Sequence, residues 1–423
     1  MRVLLVMNKP NREISSMESI KRAVHCISPS TTVEIRHMCS PDFNRFVFSY
    51  KPNVILTFPF TAKGLNRQYY LYKVFIGAKI ITLRTEGVVD FNNEHNIQWA
   101  LGFDRYGDCL VDFELFWGAR LAQVIGGRLV QQKKLSSTNR VKVVGFPRLE
   151  SYFENNSHAS NILPLRIRQK LAAYNKKDIF LFITGFHLAN YTRQNLFDAR
   201  DLDAENKLDE LLKGVEISKN FRSDWVKNII AAAADNQHVL LIVKKHPIEK
   251  KDDYIDFDGV NNILFIYEDI CISEIIPSVG YFLHYGSTAL VDAYLLKIPS
   301  IYVYSKQNKQ WYSDLGWPSS LKIEVNEIPL IVKDILAGTT NFDMNSADIK
   351  CVLKDVFHVE KGNDYKPSHE IAKIILDPTP PQKIQFTDIY FLKALINTIW
   401  LHTYCFISNL PRKFQLVVQN FTK

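Results

Sequence analysis

Two doubly wound parallel α/β sheets in tandem, followed by a helical tail, are what this 423-residue chain predicts. Three observations carry that expectation. Short apolar runs alternate with helical stretches from Val3 onward, the rhythm of parallel strands joined by right-handed crossovers. The alternation breaks after Pro147 and resumes at Asp178, which sorts the strands into two sets. The length suits two or three domains, and 47% hydrophobic with 23% charged residues makes the chain globular rather than disordered.

In the first set Val3 to Met7, Thr32 to Arg36, Asn53 to Thr57 and Ala78 to Leu83 read as strands. Glu13 to His25, Asp42 to Phe48 and Lys63 to Ile76 read as the helices between them. Cys109 to Asp112 and Val141 to Val144 add two strands around a helix near Glu114 to Ile125. Residues 1–150 are therefore expected to form one domain, and no Gly-x-Gly-x-x-Gly follows its first strand to support a dinucleotide site there. Residues 151–177, with a polar Glu154-Asn155-Asn156-Ser157-His158 run and a basic helical stretch from Leu165 to Tyr174, read as a linker and crossing helix.

The second domain is expected over 178–377. It opens with a buried strand, Asp178 to Thr184, then a polar stretch from Asn190 to Lys219 that reads as a loop over a cleft. Arg222 to Ala234 reads as a helix. Val239 to Val243, Ile263 to Ile266, Val279 to Leu283 and Ser300 to Tyr304 read as strands. Pro378 to Pro381 breaks the chain before a tail over 378–423, whose Ile384 to Leu410 stretch is rich in apolar and aromatic residues. Asp388, Lys393, Asn397 and His402 make it a poor membrane span. It reads either as an interfacial helix, with Trp400 and Tyr404 at headgroup level, or as a segment packed on the first domain.

The chemistry concentrates after two strands of the second domain. Val279 to Ser305 contains His284-Tyr285-Gly286-Ser287-Thr288, then a helical run, Lys297-Ile298-Pro299 and another strand. Gly286 lets the backbone turn close to a ligand. Ser287 or Thr288 is expected to cap the helix and leave N–H groups and the positive dipole end facing a phosphate. His284 is placed to orient that turn through its ring nitrogens. Asp292, further along the helix, reads as a surface residue unless a helix tilt carries it to a ribose. His238 to Lys245 is a strand ending in Lys244 and Lys245, with His246-Pro247 next. Cations at a strand's carboxyl end are placed to stabilise a departing phosphate.

Together these residues resemble a family. His-Pro after a strand, followed later by His-Tyr-Gly-Ser-Thr-Ala-Leu-Val-Asp-Ala, is similar to bacterial surface-carbohydrate biosynthesis proteins of GT-B-like fold. The two-part signature also resembles sialyltransferases and Kdo transferases that use CMP-activated sugars. Val143-Val144-Gly145-Phe146-Pro147-Arg148-Leu149 is similar to the segment closing the first domain in that family, and Leu181 to Phe186 to the first strand and loop of the second. Phe146 stands where Asn is usual, Lys245 where Arg often precedes His-Pro, and Asp292 where Glu is usual. The resemblance implies two Rossmann-like domains facing a cleft. The first (1–150) would take the acceptor and the second (178–377) the nucleotide-sugar donor. Thr184, Gly185 and His187, after the first strand of the second domain, then fall in a loop that approaches the donor.

A base for the acceptor hydroxyl is sought at the carboxyl end of the fourth strand, where Leu83-Arg84-Thr85-Glu86-Gly87 places Glu86 beside a glycine. Asp90, Glu94, His95 and Asp104 are its rivals, and Arg84 would hold a substrate carboxylate or pair with Glu86. Phe113, Phe116 and Trp117 read as core or as acceptor lining. No Asp-x-Asp lies at a strand end, so the expectation is a metal-independent glycosyltransferase. It would have no cofactor beyond a nucleotide-sugar co-substrate, for which the resemblance implies a CMP-activated nonulosonic or Kdo-type acid as first choice. The alternatives are a CDP-glycerol-type polyol-phosphate transferase and a non-catalytic GT-B scaffold. Its partners would be the nucleotide sugar, a glycan or lipid-linked acceptor, and the inner membrane's cytoplasmic face as a peripheral contact. The net charge of +8 suits anionic nucleotides or an anionic surface. No aromatic-interleaved basic stripe points to nucleic acid. Six scattered cysteines without Cys-x-x-Cys, and a chain that opens directly on a strand, fit a reducing cytoplasmic setting.

Overall fold

The computed structural model describes residues 1–8, 10–59, 63–84, 97, 101, 110–153, 163–192, 205–247, 249–306, 319–344, 347–359 and 365–381. Backbone contacts divide the chain into two compact units. One is Met1–Glu154 with the residues from Val352 onward, and the other is Asn155–Cys351. Among the described residues no helix is long and apolar enough to cross a membrane.

The first unit carries six parallel strands in the order β2-β1-β3-β4-β5-β6. They are β1 (Arg2–Met7), β2 (Thr32–His37), β3 (Val54–Thr57), β4 (Lys79–Leu83), β5 (Phe113–Phe116) and β6 (Val141–Val143). Helices Pro10–Ile27, Phe43–Tyr50 and Lys63–Ile76 connect the first four. Every residue of β3, β4 and β5 is buried, as strands covered on both faces must be. The fifth strand corrects the expected one at Cys109 to Asp112, and the helix expected from Glu114 begins only at Ala119, running over 119–131. The reason is Glu114. It reads as helical and exposed, yet it lies fully buried, accepting from Thr82 Oγ1 at 2.5 Å and Arg84 Nη2 at 2.9 Å. Phe113, Phe116 and Trp117 are core.

The boundary at 377 is corrected as well. The helix Pro367–Leu376 lies in the first unit, against Pro10–Ile27. Its Ile371, Ala372 and Ile375 share one core with Val3, Leu5, Met17, Ile20 and Val24. Glu150 fastens the returning chain, accepting from the Ser368 N–H at 2.5 Å and the Ser368 hydroxyl at 2.6 Å. Tyr365 adds a second tie, its hydroxyl accepting from the Phe146 N–H at 2.7 Å and donating to the Phe357 carbonyl at 3.1 Å. The apolar spacing of Ile371 and Ile375 marks a buried face, but it does not say which sheet that face covers.

The second unit has six parallel strands ordered β12-β11-β10-β7-β8-β9. They are β7 (Ile179–Ile183), β8 (Leu240–Lys244), β9 (Ile263–Ile266), β10 (Tyr281–His284), β11 (Ser300–Tyr304) and β12 (Leu321–Glu324). The helix before β8 runs Glu205–Asp235. This corrects the reading of Glu205 to Lys219 as loop. The charges there are those of a solvated helix face, as at the exposed Glu216–Lys219 pair. The opposite face buries Phe221, Trp225 and Ile229.

Candidate functional site

Counted from β7, the second sheet reads 6-5-4-1-2-3, the order of doubly wound nucleotide-binding sheets. Chain direction switches between β7 and β10, and in such sheets ligands bind outside the strands' carboxyl ends at that switch. Thr184 and Gly185 follow β7, Gly286 and Ser287 follow β10, and Lys245 and His246 follow β8 on the far side of β7. The topology therefore gathers the sequence-predicted residues of this unit at one end of one sheet.

The β10 turn is built on a buried histidine. His284 is fully buried, its Nδ1 accepts from the Ser287 N–H at 3.4 Å, and its Nε2 lies 3.1 Å from Ser319 Oγ. An accepting Nδ1 requires the neutral ring with its proton on Nε2. Burial holds the His284 pKa down at about 3. Gly286 has φ +64°, the left-handed region that a side chain resists.

The expected cap is corrected. Ser287 Oγ accepts from the Ala289 N–H at 3.2 Å, a turn contact, and the helix itself is only Leu290–Leu295. The amides of Leu290 and Val291 already reach the carbonyls of Ser287 and Thr288. The intended dipole is thus short, and most of the turn's donors are committed within the chain. Asp292 is corrected too. The helix buries five of its six residues, and Asp292 is fully buried, not on a surface.

At β7 and β8 the geometry is tighter than expected. Thr184 is buried and serves as a brace. Its Oγ1 accepts from the His246 N–H at 2.8 Å and donates to Glu249. Gly185 runs close to the carbonyl of Tyr285, which a Cβ there would approach to 3.3 Å. Lys244 is buried and its ammonium donates to the Glu268 carbonyl at 3.3 Å, on the β9 side of the sheet. That placement turns it away from the β10 turn. Lys245 Nζ reaches the His246 carbonyl at 3.4 Å, and His246 is half-buried.

Glu249 has no sequence signal that separates it from a solvated loop carboxylate in a basic stretch, yet it is buried at the centre of this end. It accepts from Thr184 Oγ1, the Phe186 N–H, the Tyr254 hydroxyl at 2.6 Å and the His246 N–H at 3.3 Å. Burial, and then the Glu249 charge beside it, push the Tyr254 hydroxyl far above its ordinary range. Phe186, Phe221, Trp225 and Tyr285 form an aromatic cluster next to it, with Phe186 stacked on Tyr285 at 5.8 Å.

In the first unit Arg84 is buried and pairs with Glu114. Glu86, Asp90, Glu94, His95 and Asp104 lie outside the described residues, as does the tail stretch Ile384 to Leu410. His187 begins the short 3₁₀ turn His187–Asn190.

Two such sheets in one chain define a GT-B protein of two Rossmann-like α/β domains. Solved structures share the fold. The chain is similar to the UDP-GlcNAc 2-epimerase of Methanocaldococcus jannaschii, solved with UDP-GlcNAc and UDP, at 13% identity and TM-score 0.55, covering 89% of this chain and 99% of that one. It is similar to S. aureus MnaA, solved with UDP, at 11% identity and TM-score 0.53, over 91% of this chain and 100% of that one. The wall teichoic acid polymerase TagF, in a variant soaked with CDPG, matches at 11% identity and TM-score 0.53, over 88% of this chain and 87% of that one. At such identities the likeness is one of fold. The chain matches no protein-family model and no curated protein.

Proposed function

We propose that this protein is a GT-B enzyme of surface-glycan assembly that moves a sugar from a nucleotide donor to a glycan or lipid-linked acceptor. The observation that carries the reading is the switch point of the second sheet. There a left-handed Gly286 turn, held by His284, shares one sheet end with the His246 loop. In the reaction the acceptor oxygen bonds to the anomeric carbon, the bond from that carbon to the donor phosphate oxygen breaks, and the nucleotide leaves with the electron pair. His246 and Lys245 are proposed to meet the charge on the departing phosphate, and Glu86 to take the acceptor's proton, without a metal. The resemblance in the sequence favours a CMP-activated acid, whereas the structural neighbours were solved with UDP, UDP-GlcNAc or CDPG. A polyol-phosphate transfer from a CDP donor is the second reading, favoured by the likeness to TagF.

A thermal-shift panel of CMP, CDP, UDP and GDP decides among these. A nucleotide at a hundredfold excess over its Kd adds roughly 2.7 kcal/mol to the stability of the native state. Ser287→Ala with Thr288→Ala is expected to weaken the response to the preferred nucleotide. A flat panel in the wild type refutes the reading. Binding without any turnover favours the scaffold.

Glu86→Gln is expected to cut the transfer rate by about 10²–10⁴ with donor binding retained. A near-wild-type rate moves the base to Asp90, Glu94 or His95. Activity should persist in excess EDTA. Loss that Mg²⁺ or Mn²⁺ restores would refute metal independence.

A further inference from the structure

We propose that Glu249 is a positioning residue for the donor-phosphate site, acting by locking the His246 backbone onto the loop after β7. The inference rests on the function proposed above and goes beyond it in assigning a role to a residue that carries no motif. Glu249 as a whole is 3% exposed, and burying a carboxylate is costly unless donors surround it. The donors come from three separate segments. Thr184 and Phe186 lie after β7, His246 lies after β8, and Tyr254 lies in the Lys251–Phe257 turn. Each of the three leaves or borders the carboxyl end of the sheet.

The His246 amide is shared between Thr184 Oγ1 at 2.8 Å and Glu249 Oε2 at 3.3 Å, while Thr184 itself donates to Glu249. Displacing the carboxylate therefore frees the turn that carries the imidazole. An outer tie supports the same loops. Arg222 donates to Asn190 Oδ1 at 2.8 Å and pairs with Asp253 Oδ2 at 2.8 Å, joining the end of the β7 loop to the turn that bears Tyr254. A side chain meant to meet a phosphate needs its backbone held to within about 0.5 Å. Packing alone would be served by an apolar residue, without the desolvation of a charge.

A double-mutant cycle on nucleotide affinity tests this. Wild type, Glu249→Gln, His246→Ala and the double variant are titrated by calorimetry with whichever of CMP, CDP, UDP or GDP binds the wild type most tightly. Melting temperatures are read alongside. Glu249→Gln alone is expected to weaken binding about tenfold, the scale of one charged hydrogen bond. In the His246→Ala background it should weaken binding by less than about threefold, although its effect on melting is the same in both backgrounds. Equal weakening in the two backgrounds, or none in either, overturns the inference and leaves the phosphate site standing. If His246→Ala binds like the wild type, or no nucleotide binds at all, the phosphate-site reading falls and the inference with it. Thr184→Val breaks the same link from the other side. It repeats the cycle if Glu249→Gln does not fold, with the same two outcomes.

Discussion

Gly118→Ala should destabilise the first unit by about 3 kcal/mol or more, at the upper end of the cost of overpacking a core. A methyl group at Gly118 would lie only 2.3 Å from the Asp355 carbonyl oxygen and 2.4 Å from the carbonyl carbon and oxygen of Val356. Backbone cannot move aside as a side chain can, so the residues after Val352 would have to leave. Trp117 would lose its stack on Phe357, whose ring lies 5.8 Å away. Gly127 is the matched control. It lies in the helical run that Gly118 precedes, with open space where a Cβ would go and φ −58°, so Gly127→Ala should be neutral or stabilise by about 0.5–1 kcal/mol. Urea denaturation of both variants, with limited proteolysis across 347–357, checks the pair. Equal stability of the two proteins would refute the packing described at Gly118.

A second large effect comes with acid. His284 is buried as the neutral ring, with its pKa held down at about 3, while an unfolded histidine titrates near 6.5. Below pH 6.5 the unfolded chain binds a proton that the folded state refuses. The stability associated with His284 is therefore intact above pH 6.5 and falls by about 1.4 kcal/mol per pH unit until the pH nears 3. Protonation of the folded ring would also set an N–H against the Ser287 N–H that Nδ1 now accepts. Urea titrations at pH 7.5, 6.5, 5.5 and 4.5 should show the wild type losing about 2–3 kcal/mol more than His284→Gln across that range. Parallel curves would mean that the ring is protonated as readily folded as unfolded.

The strands were legible because burial on both faces leaves an apolar run, as in Val3 to Met7 or Leu240 to Val243. Two of the failures share a cause, which is a polar residue whose partner is distant in the chain. Glu114 hid β5, because its partners Thr82 and Arg84 are about thirty residues away. Glu249 was invisible as a hub, since Thr184 lies 65 residues earlier. Asp292 was read as surface because a single acidic residue in a six-residue helix has no pattern to contradict it. Gly286 and His284 were legible for the opposite reason. The turn they make is local, and its chemistry is written within five consecutive residues.

The clasp of Glu150 on Ser368 has a consequence for the order in which the protein is made. The amino-terminal sheet leaves the ribosome first but lacks Ile371, Ala372 and Ile375, which complete its core. About 200 residues separate Glu154 from Val352, a delay on the order of 10–40 s at ordinary translation speeds. Throughout that interval the unit begun earliest stays unfinished, while the unit begun later has its whole sequence available. The nascent chain thus matures from the middle outward, and its first sheet waits with an open apolar face, the surface a chaperone would recognise.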